Sequence, residues 1–214
     1  MKNEWQLQNT SNPNPIWEVP NLLSENQCRK LIQWFRTHKH KISVGSDKDY
    51  YGIQKFHIFN PEVRDILNKV EFDVVSEIFA KTGARMYPTM TNINEWFIGG
   101  VQEPHLDTYT NQEILHGLDQ TPPEFPNREW TTIVNLNTDF NGGETYFPNE
   151  NYTVTPETGK ASIFQGIHHD HGVNKVYQGC RYTVSIWFSG DINNMLSNRM
   201  TNDLSLTYLN LKNY

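Results

Sequence analysis

"GCRYTVSIWF", residues 179–188, alternates two kinds of side chain. Arg181, Thr183, Ser185 and Trp187 fall on one face of an extended chain, and Tyr182, Val184, Ile186 and Phe188 on the other. The second set is uniformly apolar or aromatic and predicts a face packed on a core. The first set is polar at its start, so an arginine is directed into the interior of an all-β arrangement. Burying a guanidinium is costly unless it meets an anion. That anion is either a ligand carboxylate gripped in bidentate fashion or an Asp or Glu of the chain itself.

Upstream of it, "TTIVNLN" (131–137), "ETYFP" (144–148) and "KASIFQ" (160–165) are equally rich in β-branched and aromatic residues. Gly, Asn and Pro separate them, and such a series predicts a sandwich or jelly roll. Further upstream the period is helical. "SENQCRKLIQWF" (24–35) opens with Ser24 and has Gln27 three residues on, a capping box. In "NPEVRDILNKVEFDVVSEIFAKTG" (60–83) Asn60 caps, Pro61 takes the first turn and Gly83 closes the end. Val63, Ile66, Leu67, Val70, Val74 and Ile78 form its buried stripe. The expected organisation is one domain over 1–214, with helical support at about 20–85, a jelly-roll core at about 88–190 and an extension at 191–214. The polar, proline-bearing stretch at 108–128 reads as a long functional loop, a candidate lid.

Of 214 residues, 36% are hydrophobic and 20% charged, and the formal net charge is −6. That balance argues against nucleic-acid or anionic-membrane binding. No apolar run approaches membrane-spanning length, and the N-terminal stretch lacks a signal-peptide core. The two cysteines, Cys28 and Cys180, have no CxxC spacing, which predicts reduced thiols in a cytoplasmic protein and excludes cysteine-bound structural zinc.

Two clusters carry metal-binding chemistry. In "EPHLDTY" (103–109) His105 and Asp107 are two residues apart, so on a strand they share a face. With a distant histidine they form a 2-His-1-carboxylate triad that suits Fe(II); alone they are equally compatible with a solvated surface strand. The second cluster, "GIHHDHGV" (166–173), offers His168, His169, Asp170 and His171, and adjacent side chains cannot all reach one ion.

Four segments together resemble the prolyl 4-hydroxylase branch of the Fe(II)- and 2-oxoglutarate-dependent dioxygenases: "WFIGGVQEPHLD" (96–107), "TTIVNLNTDFNGGETYFP" (131–148), "PETGKASIF" (156–164) and "HGVNKVYQGCRYTVSIWF" (171–188). The resemblance implies a double-stranded β-helix with His105, Asp107 and His171 on iron. It also implies that Arg181 and Thr183 hold the distal carboxylate of 2-oxoglutarate. His171 is the ligand on this reading because of its distance from Gly179 and Arg181; His168, His169 and Asp170 become loop residues, with His169 in reserve. Gln102 stands where the family has a cosubstrate-binding tyrosine, and Asn135 replaces another tyrosine near the same place. The implied activity is hydroxylation of a C–H bond using O2, with ascorbate as reductant. The implied substrate is a prolyl residue in a peptide or protein. A small-molecule or non-prolyl substrate, a metal-binding jelly roll without 2-oxoglutarate chemistry, and an idle scaffold are the competing readings.

Overall fold

A computed structural model describes residues 15–42, 49–108 and 127–197. The elements run β1 (Trp17–Val19), α1 (Glu25–Ile42), β2 (Tyr50–Gln54), a 3-10 turn at Lys55–His57, and α2 (Pro61–Thr82). Then follow β3 (Tyr87–Trp96), β4 (Gln102–His105), β5 (Trp130–Asn135), β6 (Asn141–Gly142), β7 (Thr145–Phe147), β8 (Tyr152–Thr153), β9 (Ala161–Phe164), β10 (His171–Val173), β11 (Val176–Gln178), β12 (Arg181–Ser189) and α3 (Ile192–Ser197).

Both predicted caps form. Gln27 N–H donates to Ser24 Oγ (3.3 Å), and Ser24 N–H donates back to Gln27 Oε1 (3.0 Å). Asn60 Oδ1 accepts from Val63 N–H at 3.0 Å, and Gly83 ends α2 with φ +73°. All six apolar residues of the predicted stripe are buried. Replacing an N-cap of this kind by alanine costs about 1 kcal/mol. Asn60→Ala should therefore lower the unfolding free energy by that amount, read from the urea midpoint at unchanged slope.

Helix α2 also buries Glu71, a residue the apolar pattern did not mark. Its carboxylate accepts from Lys55 Nζ at 2.5 Å and Thr91 Oγ1 at 2.6 Å, which ties the helix to β3. A buried carboxylate is tolerable when both oxygens are satisfied in this way.

The strands form a six-stranded antiparallel sheet, ordered β1-β9-β5-β12-β3-β2, facing a four-stranded sheet, β4-β10-β7-β8; β11 and β6 pair separately. This is the jelly-roll arrangement. Strands β1 and β2 lie in the first third, where sequence patterning shows helices; they are short edge strands of three and five residues, too brief for alternation to register. Central strand β12 is buried on both faces as expected. Tyr182, Val184, Ile186 and Phe188 join the core with α1 and α2, and Arg181, Thr183, Ser185 and Trp187 line the space between the sheets. Most of the candidate lid and residues 198–214 of the expected extension lie outside the described residues. No helix among the described residues is long and apolar enough to cross a membrane. Cys28 and Cys180 are free thiols.

Candidate active site

Strands β4 and β10 are neighbours in the smaller sheet, and their register sets His105 directly opposite His171. Their rings lie 4.5 Å apart between centroids. Asp107, just past the end of β4, is held by its own N–H donating to Gly166 O at 2.9 Å. One carboxylate oxygen stands 3.9 Å from His105 Nε2 and the other 3.6 Å from His171 Nε2. The three potential ligand atoms all lie within 4.8 Å of one another. Two imidazoles and one carboxylate in this compass can share a single ion and leave coordination positions open, as a non-haem Fe(II) site requires.

The outer contacts settle which ring nitrogen faces the centre. His105 Nδ1 lies 3.1 Å from Glu103 O, and His171 Nδ1 lies 3.0 Å from His169 O. A carbonyl only accepts, so each Nδ1 carries the proton and each Nε2 presents a lone pair to the shared point. The Gln102 amide nitrogen lies 3.3 Å from His105 Nε2, beside the shared centre. Thr131 Oγ1 donates to the Asp107 carboxylate. Burial pushes the Asp107 carboxyl up, but the two imidazoles and the Thr131 hydroxyl together hold it below the usual carboxylate range. For His171, burial lowers the imidazole pKa and wins over the opposing pull of Asp107, favouring the neutral, ligating form. Gly166 is obligatory here: a Cβ would come within 2.4 Å of Asp107 Oδ2 and 2.5 Å of Thr131 Oγ1.

Arg181, Thr183, Asn94 and Trp96 line the same cavity as the cluster. Arg181 is only 1% exposed. One nitrogen, Nη2, donates to Thr145 Oγ1 at 2.8 Å, and the face of Trp96 lies 5.9 Å from the guanidinium carbon. Among the described residues Nε and Nη1 have no hydrogen-bond partner, and neither does the buried Thr183 Oγ1. Burial pushes the guanidinium down to about 10, with Glu144 countering part of the shift, so it stays charged at neutral pH. Each unmet donor of this kind costs about 1–3 kcal/mol. A cavity holding a charged fork and an adjacent hydroxyl is therefore built to receive an anion.

The structure thus brings together His105, Asp107, His171, Arg181, Thr183 and Gln102 around one cavity. Asn135 is beside Thr183 in the sheet register but is not among the lining residues. His168 is exposed, while His169 is buried outside the cluster. Sequence reasoning missed Thr131, Asn94 and Tyr50. Tyr50 stacks on Trp96 at 4.6 Å, and burial raises its phenol pKa. Their signal is cross-strand register: Asn94 and Thr183 are direct partners although far apart in the chain.

No family model matches the chain. Over 94 residues it is 36% identical to prolyl 3-hydroxylase 1 of Mus musculus, covering 41% of this chain and 13% of that protein. Over 167 residues it is 28% identical to 2-oxoglutarate and iron-dependent oxygenase domain-containing protein 3 of Homo sapiens, covering 71% of this chain and 50% of that protein. The chain therefore spans half or less of both curated relatives. Among solved structures, a prolyl hydroxylase from Trichoplax adhaerens, in complex with a hypoxia inducible factor oxygen degradation domain peptide fragment, matches with a TM-score of 0.65 and 17% identity, covering 90% of this chain and 91% of that one. The chain thus shares its jelly-roll fold with a solved prolyl hydroxylase, and stretches of its sequence are similar to prolyl 3-hydroxylase 1 and to a 2-oxoglutarate and iron-dependent oxygenase domain protein.

Proposed function

We propose that this chain is an Fe(II)- and 2-oxoglutarate-dependent dioxygenase that hydroxylates a prolyl residue in a peptide or protein, with ascorbate as reductant. The observation that carries the oxygenase reading is the buried, unsatisfied Arg181 fork in the same cavity as the His105–Asp107–His171 cluster. A metal-binding jelly roll with no 2-oxo acid to hold has no use for that fork. Matches to prolyl hydroxylases support the substrate class.

His105 and His171 would offer Nε2 and Asp107 a carboxylate oxygen to the iron. Arg181 and Thr183 would hold the far carboxylate of the 2-oxo acid, fixing how far it reaches toward the metal. Thr131 keeps the Asp107 carboxylate oriented, and Trp96 screens the guanidinium from water. Bound there, iron and 2-oxoglutarate supply the oxidising chemistry, in which O2 is consumed, the 2-oxo acid is converted to succinate and CO2, and a C–H bond becomes C–OH.

Supplied with Fe(II), ascorbate and 2-oxoglutarate alone, the protein should release CO2 slowly and stoichiometrically with succinate. No release would overturn the oxygenase reading. Proline-containing peptides should then gain the mass of one oxygen on proline; oxygen found instead on another residue or on a free amino acid would replace the substrate class. His168→Ala, an exposed change, should leave turnover within about twofold. If it abolished turnover, the choice of His171 over its neighbours would be wrong.

A further inference from the structure

His169 has no part in the proposed chemistry, although it is 1% exposed and two residues from His171. Its Nδ1 lies 2.6 Å from Glu150 Oε1, and its ring stands edge-on to Phe147, which also packs against His171. One residue on, Asp170 accepts from Asn149 Nδ2 at 3.0 Å. The turn at Pro148–Asn151, closed by Asn151 N–H to Pro148 O, thus grips two successive side chains of the segment before β10. Between those two side chains lies the His169 carbonyl, the acceptor for His171 Nδ1–H.

The two histidines of the cluster are oriented by carbonyls in unequal circumstances. Glu103 O, which takes His105 Nδ1–H, lies within β4, and pairing with β10 fixes that strand. His169 O lies before β10 begins, in irregular backbone that no sheet ladder holds. A partly buried Glu–His pair adds little stability over apolar residues of equal volume. Its worth here is geometric.

We propose that the Glu150–His169 pair is a positioning device for His171: it holds the His169 carbonyl so that the Nε2 of His171 points at the centre shared with His105 and Asp107. This rests on the reading of His171 as a metal ligand. Loss of such outer contacts typically weakens metal binding 10- to 100-fold.

The test is titration of metal-free protein with Co(II), followed by its visible absorption bands, alongside thermal melts. The double variant His169→Phe/Glu150→Leu replaces the pair by apolar side chains and should melt near wild type while binding Co(II) about tenfold or more weakly, with altered bands. Glu150→Gln, whose amide oxygen still accepts from Nδ1–H, should recover affinity to within about threefold of wild type. Wild-type Co(II) affinity and bands in the folded double variant would overturn the inference and leave the triad standing. Failure of the wild type itself to bind Co(II) would remove the triad, and the inference with it.

Discussion

Arg181→Ala should raise the apparent KM for 2-oxoglutarate about a hundredfold or more and leave Fe(II) affinity nearly unchanged. Two nitrogens and the Thr183 hydroxyl, unpaired among the described residues, belong to side chains that line the cavity, so a carboxylate received there gains charge-assisted bonds. Truncating such a contact costs about 3 kcal/mol, and each 1.4 kcal/mol is tenfold. Stability provides the control. Removing one partner of a structural buried ion pair costs about 3–5 kcal/mol. Among the described residues Arg181 has only Thr145 as hydrogen-bond partner, so the ligand-free variant should melt without that penalty. Lysine at 181 should restore part of the affinity, since it keeps the charge and loses the fork. Calorimetry showing equal 2-oxoglutarate binding in wild type and Arg181→Ala would sever the cosubstrate from this site.

Asp107→Ala should abolish turnover and reduce metal affinity by more than the 10- to 100-fold expected for loss of an outer contact. Asp107 supplies the only negative charge in the cluster, and without it two neutral imidazoles must hold a divalent cation alone. The fold should survive, because Asp107 lies past the end of β4 and the register of that strand with β10 does not pass through its side chain. Circular dichroism would check the fold, and a Co(II) titration the site. His105→Ala should behave alike, and full activity in either variant would take that residue out of the metal shell.

Local signals were legible because each is read within one element. The capping box at Ser24, the Asn60 and Gly83 termini and the two faces of β12 depend on residues a few positions apart, and all appear as expected. The His105–Asp107 pair shares that property. Joining it to His171 depended on resemblance, since no periodicity shows that β4 and β10 lie side by side. Thr131, Asn94 and Tyr50 were hidden for the same reason: each reaches the cavity through register with a strand remote in sequence. The four-residue cluster at 168–171 was ambiguous by composition, and the structure separates it through strand geometry. His171 opens β10, whereas His169 turns to Glu150 and His168 to the exterior.

The double burial of β12 also bears on which changes in chain length the protein can absorb. Its outer face carries Tyr182, whose hydroxyl receives Arg36 Nε–H at 3.0 Å and donates to Glu95, itself bound by Lys39. The inner face carries Arg181 and Thr183. Inserting or deleting one residue ahead of Arg181 would exchange the two faces, sending a tyrosine into the cavity and a guanidinium into the helix-packed core. A two-residue change would restore the faces but shift every side chain by about 7 Å along the strand, beyond the reach of Thr145. The turn between β11 and β12, where Gly179 takes φ +75°, is thus a joint whose length should tolerate substitution better than insertion or deletion.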